Sequence, residues 1–344
     1  MGSGTRAAIE EVRRASRDEW DRQWRACAHA TYFHSRDWAE TWAAYRPRQL
    51  EPDARLIRFE DGVEVVLPLT RQRLLRGMAS RWWCSPMGTY GGWLCPSPID
   101  ESHSDALCDY VHERLGCVSW RLNPYDPCSS RIAAAEECEP DETLVLALDC
   151  AYPELEAACA HGHRRAAHKA ARCGVNVRPA ASPGDWAAYV ATYRDTLRRW
   201  GEEAGFGPVL FEEMRRRAGE WLTLWVAEVE GEIVGGLVCL YAPNHVACWH
   251  SAVREDAMPM HPMHRVFLTA IEDACGRGIA WFDFNPSRGL TGVMEFKRRF
   301  GARPLACPVV TCERGIGIRA WRLLRHVPRP RSVSAAPTAS AQLR

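Results

Sequence analysis

Apolar positions along the chain follow two periods. Leu222–Val229 and Ile233–Tyr241 are runs of branched and large apolar residues around Glu230-Gly231. That spacing predicts a hairpin, which His245–Val253 extends by a third strand. Nearer the start, Arg55–Phe59 and Glu64–Leu69 repeat the plan around Asp61-Gly62, after a helical run at Asp37–Tyr45. The period then lengthens: Val266, Phe267, Ala270, Ile271 and Ala274 share one face of a helix expected over His264–Cys275, which stops at Gly276 and Gly278. Ile279–Phe284 reads as a strand, and Gly292–Phe300 as a helix closed by Gly301. The order predicts an α/β chain in two halves, with mixed, mostly antiparallel sheets flanked by helices. The expected divisions are an N-terminal segment at 1–25, halves at 26–152 and 153–315, and a basic helix end with a tail at 316–344. From about 326 the tail is a Ser/Ala/Pro/Thr run without apolar residues to offset chain entropy, and it reads as disordered.

Composition narrows the class. The 344 residues are 47% hydrophobic and 25% charged, enough to bury a core without staples. Net charge is +1, from 44 basic and 43 acidic residues, so any polyanion must be held by a local patch. The 15 cysteines include no Cys-x-x-Cys pair and sit mostly in apolar or Ala-rich runs, as small hydrophobes do in a reducing compartment. The first 25 residues lack the apolar core of a signal peptide, and no run reaches the roughly 18 apolar residues of a membrane span. A cytoplasmic protein without metal is expected. Met258-Pro259-Met260-His261-Pro262-Met263-His264 offers soft ligands but reads more simply as a loop entering the next helix.

Two local clusters carry candidate chemistry. In the segment 161–172, Arg164, Arg165, His168, Lys169 and Arg172 fall on one helix face, with Ala166, Ala167, Ala170 and Ala171 opposite. Such a face suits phosphates, with arginine as a fork and lysine as a point charge. It also describes a solvated helix surface. In the segment 291–301, Lys297 falls with Val293, Phe296 and Phe300, away from Glu295, Arg298 and Arg299. Burying an ammonium is costly, so this lysine either serves a cleft, where it would stabilise an oxyanion or grip a carboxylate, or snorkels to water. The strand before it enters a polar loop, where Asn285, Ser287 and Arg288 stand as ligand contacts beyond a strand end. Asp283 is either a structural ion-pair partner or a group that orients an acceptor amine. The clusters Tyr90-Gly91-Gly92-Trp93 and Trp249-His250-Ser251 read as core, with Tyr90, Trp249, Ser251 and Phe296 kept as substrate contacts. No nucleophile elbow, Walker loop, zinc-protease or dinucleotide signature occurs.

These pieces, in order, resemble the GNAT acyltransferase superfamily, and within it the Fem-type peptidyltransferases with two GNAT-like halves. The matching stretches are Tyr32-Phe33-His34-Ser35-Arg36-Asp37-Trp38, Tyr90-Gly91-Gly92-Trp93, the basic helix with Gly174-Val175, and Phe282-Asp283-Phe284 through Phe296-Lys297-Arg298-Arg299-Phe300-Gly301-Ala302, spanning about 30 to 310. The resemblance implies amide formation: an amine attacks an activated acyl carbon and expels an alcohol or thiol. It also implies that Lys297 lies at the reaction centre and that the donor is aminoacyl-tRNA, held at the basic helix. The acceptor would be a cell-wall precursor or a small biosynthetic amine. CoA-dependent GNAT enzymes carry a glycine loop before the helix that here begins near His264; this chain has Arg254-Glu255-Asp256-Ala257-Met258-Pro259 instead. That departure favours the tRNA-borne donor over acetyl-CoA, which remains the alternative. No long helical hairpin for tRNA is present, and a GNAT-like binding module without catalysis is the reading outside enzymology.

Overall fold

The structure is a computed structural model and describes residues 7–74, 77–199, 205–287 and 289–313. The tail from 326 and Arg288 lie outside the described residues. In chain order the elements are β1 (Ile9–Arg14), α1 (Arg17–Ala26), α2 (Arg36–Tyr45), β2 (Leu50–Pro52), β3 (Arg55–Phe59), β4 (Glu64–Leu67), β5 (Thr70–Leu74), β6 (Ala79–Trp83), β7 (Tyr90–Gly91), α3 (Glu101–Tyr110), β8 (Cys117–Leu122), α4 (Ser129–Ala135) and β9 (Cys138–Glu139). They continue with β10 (Glu142–Ala147), α5 (Tyr152–Ala158), α6 (His161–Arg172), β11 (Asn176–Pro179), α7 (Pro183–Arg199), α8 (Pro208–Ala218), β12 (Leu222–Val229), β13 (Glu232–Ala242), β14 (His245–Val253), α9 (Pro262–Gly276), β15 (Trp281–Asp283), α10 (Thr291–Arg298), β16 (Arg303–Ala306) and β17 (Val309–Glu313). Among the described residues, 7–141 with 306–313 form one compact unit and 142–305 the other.

The first unit holds a three-stranded sheet, β1-β3-β4, and a second sheet in the order β2-β5-β6-β8-β17-β9, with β7 beside β8. The stretch set apart at 1–25 supplies β1, paired with β3 through Val12↔Ile57, and α1, whose start is fixed by a Ser16–Glu19 capping box. The core is aromatic, with Trp93 and Trp120 edge to face at 5.7 Å among Ile57, Phe59, Val65 and Leu107.

The second unit is one sheet, β11-β12-β13-β14-β15-β10-β16. β11–β12, β12–β13, β13–β14 and β15–β10 pair antiparallel, and β14–β15 pair parallel. The join expected at 152/153 therefore falls after a strand that belongs here: β10 inserts between β15 and β16, a long-range pairing with no local signal. Leu237, Cys239 and Tyr241 of β13 share a core with Val266, Phe267, Ala270 and Ile271 of α9. Gly236 instead faces α7, where a Cβ would lie 2.7 Å from Trp225 O and 3.0 Å from the Tyr189 ring. Only glycine leaves room there between the β12 backbone and the α7 ring. α9 starts two residues before the expected His264, because Pro262 suits a first helical position and His261 ahead of it takes a left-handed conformation, φ 57°. None of the fifteen cysteines is in a disulfide, and among the described residues no helix is long and apolar enough to cross a membrane.

Candidate active site

Two neighbouring strands of the second unit run parallel for three residue pairs only, His245↔Trp281, Val246↔Phe282 and Ala247↔Asp283. β14 then continues to Val253 while β15 ends, so the strands part at Asp283. This strand is shorter than the expected Ile279–Phe284, for a local reason. The Asp283 carboxylate accepts the Asn285 backbone N–H at 2.6 Å, and Asn285 takes φ 60°, which turns the chain out of the sheet. Asparagine tolerates that region better than other non-glycine residues. Across the gap, Asn285 Nδ2 donates to Cys248 O at 2.8 Å.

Lys297 reaches into this corner from α10. Its Nζ donates to Asn285 O at 2.6 Å and to Ser287 Oγ at 2.9 Å, and the residue is 1% exposed. Asp283 is fully buried and also accepts Thr143 Oγ1 at 2.6 Å, with His245 Nε2 3.4 Å from its other oxygen. The result is a fixed chain of groups from β10 through Asp283 and Asn285 to a buried ammonium. A cation held this way can meet an anion without reorganising.

Beside it lies a cavity of about 740 Å³, lined by α6, the end of β14, the start of α9 and α10. Arg165, Lys169 and Arg172 line it, and among the described residues none of the three is in an ion pair. The other two members of the predicted basic face are elsewhere: Arg164 donates to Ala157 O and His168 is exposed without lining the cavity. The helix is rotated from the expected alanine stripe, since His163, Ala167 and Ala170 are its buried residues, Ala171 is exposed and Ala166 lines the cavity. Alanine fits either environment, whereas His163 fixes the rotation, because its Nε2–H donates to Phe296 O at 3.0 Å and its ring meets Phe296 and Phe300 at 4.8 and 4.6 Å. Phe296 lines the cavity and Lys297 does not, so one turn of α10 touches both the cavity and the buried corner.

Residues 157–298 match the family of GNAT acetyltransferase domains. The second unit is a GNAT-type acyltransferase domain. The whole chain has a Fem-like fold: it is similar to the crystal structure of FemX at 12% identity, covering 91% of this chain and 99% of that one, with a TM-score of 0.73. The C-terminal domain of a putative lysylphosphatidylglycerol synthetase from Agrobacterium fabrum is similar at 12% identity over 79% of this chain and 87% of that one, TM-score 0.51. L-PGS from Bacillus licheniformis gives 13% identity, 80% and 90% coverage and the same score. At such identities these likenesses are of fold. No curated protein sequence matches the chain.

The remaining candidates divide between the acyltransferase unit and the other. Trp249, stacked on Phe206 at 5.4 Å, and Ser251 are buried on β14 past the parting of the strands. Tyr90 belongs to the first unit, buried edge to face against Phe33 and Tyr125. Three histidines that the sequence left unassigned also line the cavity, His163, His261 and His264. Burial pushes all three below the ordinary imidazole range; His163 and His261 neighbours add to this for His264, which falls to about 3. The signal was the short spacing of His261 and His264, read as a loop. Among the described residues no group of three His, Cys, Asp or Glu side chains can hold a metal ion.

Proposed function

We propose that this acyltransferase moves an aminoacyl group from aminoacyl-tRNA to an amine, either a cell-wall precursor or a small biosynthetic amine. The observation that carries the reading is the cavity, where three unneutralised cations from α6 face the N-terminus of α9, both of which favour phosphate. The amine nitrogen attacks the ester carbonyl carbon, the carbonyl oxygen becomes an oxyanion, and the ester C–O bond breaks. The released terminal hydroxyl keeps the proton that the amine gives up. Lys297 stabilises the oxyanion, Asn285 and Ser287 hold the ammonium in place, and Asp283 positions Asn285 through its backbone N–H. In this reading Asp283 is a positioning residue. Arg165, Lys169 and Arg172 bind donor phosphates, with Phe296 between donor and reaction centre. A fold neighbour named for synthesis of lysylphosphatidylglycerol supports aminoacyl transfer as chemistry this architecture accommodates.

An acyl-CoA donor is the second reading, and one observation favours it. The loop before α9 lacks the expected glycine, yet His261 there adopts the left-handed backbone that a glycine would supply. The test is transfer from a charged tRNA pool in parallel with acetyl-CoA, each offered to a panel of amines and read by mass spectrometry of the amide. Amide from charged tRNA alone supports the first reading; amide from acetyl-CoA alone replaces it with the second. If Lys297→Met transfers as fast as the native protein, the assigned reaction centre is wrong.

A further inference from the structure

The donor cavity has an imidazole wall facing its cations. His163 and His264 are edge to face at 4.6 Å, and His264 and His261 at 5.4 Å, so the three rings form a continuous row from α6 across the start of α9. His163 is tied by its Nε2–H to Phe296 O, which leaves Nδ1 as its remaining polar atom. Nδ1 of His264 is buried without a hydrogen-bond partner. A buried polar atom left unpaired in a cavity wall marks the place where a ligand atom completes it.

The charges around this row come from each element that lines the cavity. α6 contributes Arg165, Lys169 and Arg172; α10 contributes Glu295, and Arg299 just after it has its Nε 2.9 Å from Glu295 Oε1. β14 contributes Val253, without charge, and in the loop after it Arg254 is engaged by Asp256 and Glu232. The only carboxylate lining the cavity among the described residues is thus already paired. Lys169 depresses His261, and Arg299 depresses His163, each after burial. The N-terminus of α9, capped by His261, adds positive potential of its own.

We infer that this wall makes the cavity a proton-coupled site for phosphodiesters: a donor binds with uptake of protons, chiefly by His261, and binds more tightly as pH falls from 8 to 6. The inference rests on the donor reading above and deepens it. An anion paired with Lys169 cancels the repulsion that adds to burial in keeping His261 neutral, and it supplies an acceptor for the new N–H. Protonation then adds a charge-assisted contact, so anion and proton favour each other by the same factor. His264, the most depressed of the three, stays neutral, and as its Nδ1–H tautomer it donates to a phosphodiester oxygen.

The experiment is titration calorimetry of the full chain with two probes whose charge is constant from pH 6 to 8, the trinucleotide CCA and dephospho-coenzyme A. Each is run in buffers of different ionisation enthalpy. Whichever probe binds should do so with net proton uptake at pH 7 and about tenfold more tightly at pH 6 than at pH 8. His261→Asn, which suits the left-handed backbone, should flatten that dependence. Lys169→Gln, on an exposed helix face, should reduce the uptake, because His261 is relieved before the probe arrives. Equal affinity at both pH values with no buffer dependence would overturn the inference and leave the donor reading standing. Failure of both probes to bind at millimolar concentration would overturn both. Uptake with CCA alone assigns the site to a tRNA end, and with dephospho-coenzyme A alone to an acyl-CoA.

Discussion

Replacing Lys297 with methionine separates the two reasons a lysine can be buried. Its Nζ donates to Asn285 O and to Ser287 Oγ, and the residue is 1% exposed. Hydrogen bonds from a charged donor contribute about 1.5–3 kcal/mol each, so these two contribute about 3–6 kcal/mol of what holds the ammonium. Taking an ammonium out of water costs several kcal/mol, which offsets most of that. Methionine fills a similar volume and removes the desolvation cost, while leaving a carbonyl and a hydroxyl to find other partners. The expected change in stability is therefore small, within about 2 kcal/mol by chemical denaturation. Turnover is another matter. Loss of one pre-set oxyanion donor lowers the rate about 100-fold to 1000-fold. The assay is single-turnover amide formation at saturating donor, with donor affinity measured separately. If Lys297→Met loses more than about 4 kcal/mol of stability and keeps native turnover once folded, the lysine is structural and the oxyanion argument fails.

Other parts of the structure give sharper, smaller tests. Gly236→Ala places a methyl 2.7 Å from Trp225 O and 3.0 Å from the Tyr189 ring, so a loss of about 1–3 kcal/mol is expected by denaturant unfolding; a neutral result would mean that both the β12 backbone and α7 give way freely. The double variant Arg165→Gln, Lys169→Gln removes two cavity cations and should weaken tRNA binding while making its salt dependence shallower by about 1.4 in log–log slope; an unchanged slope would place the RNA elsewhere. His250 is buried among Tyr189, Tyr193 and Phe211, and burial lowers its pKa from 6.5 to about 3. Between those values the unfolded chain binds the extra proton, so this stability is present above pH 6.5 and is lost as pH falls. From pH 6.5 to 5 the loss is about 2 kcal/mol, and it should vanish in His250→Gln when folding is compared at the two pH values.

How much of this was legible in the sequence depends on how local each cause is. The hairpin around Glu230-Gly231 was readable because turn and strands are contiguous, and α9 ends near Gly276 because its stop signal lies in the next residues. Lys297 on the apolar side of its helix was readable from spacing alone, and it lies buried beside Val293 and Phe296. The rotation of α6 was not. Four alanines say nothing about which of them packs, and the deciding contact, from His163 to Phe296, joins residues far apart in sequence. The same holds for β10, whose partners come from much later in the chain.

The least legible feature is the one on which the proposed chemistry turns. A strand that ends at Asp283 and a neighbour that continues to Val253 make a gap only when set side by side, and no residue type announces it. Asn285 joins the pieces: its side chain spans the gap to Cys248, its N–H is held by Asp283, and its carbonyl holds Lys297. Asparagine was readable as a loop residue beyond a strand end. That one left-handed residue aligns three partners, and this is why Asn285→Gly, which keeps the backbone freedom and the carbonyl but loses the bond to Cys248 O, tests the gap more finely than removing the lysine. It should lower turnover while leaving donor binding unchanged, because the cavity wall contains neither Asn285 nor Cys248.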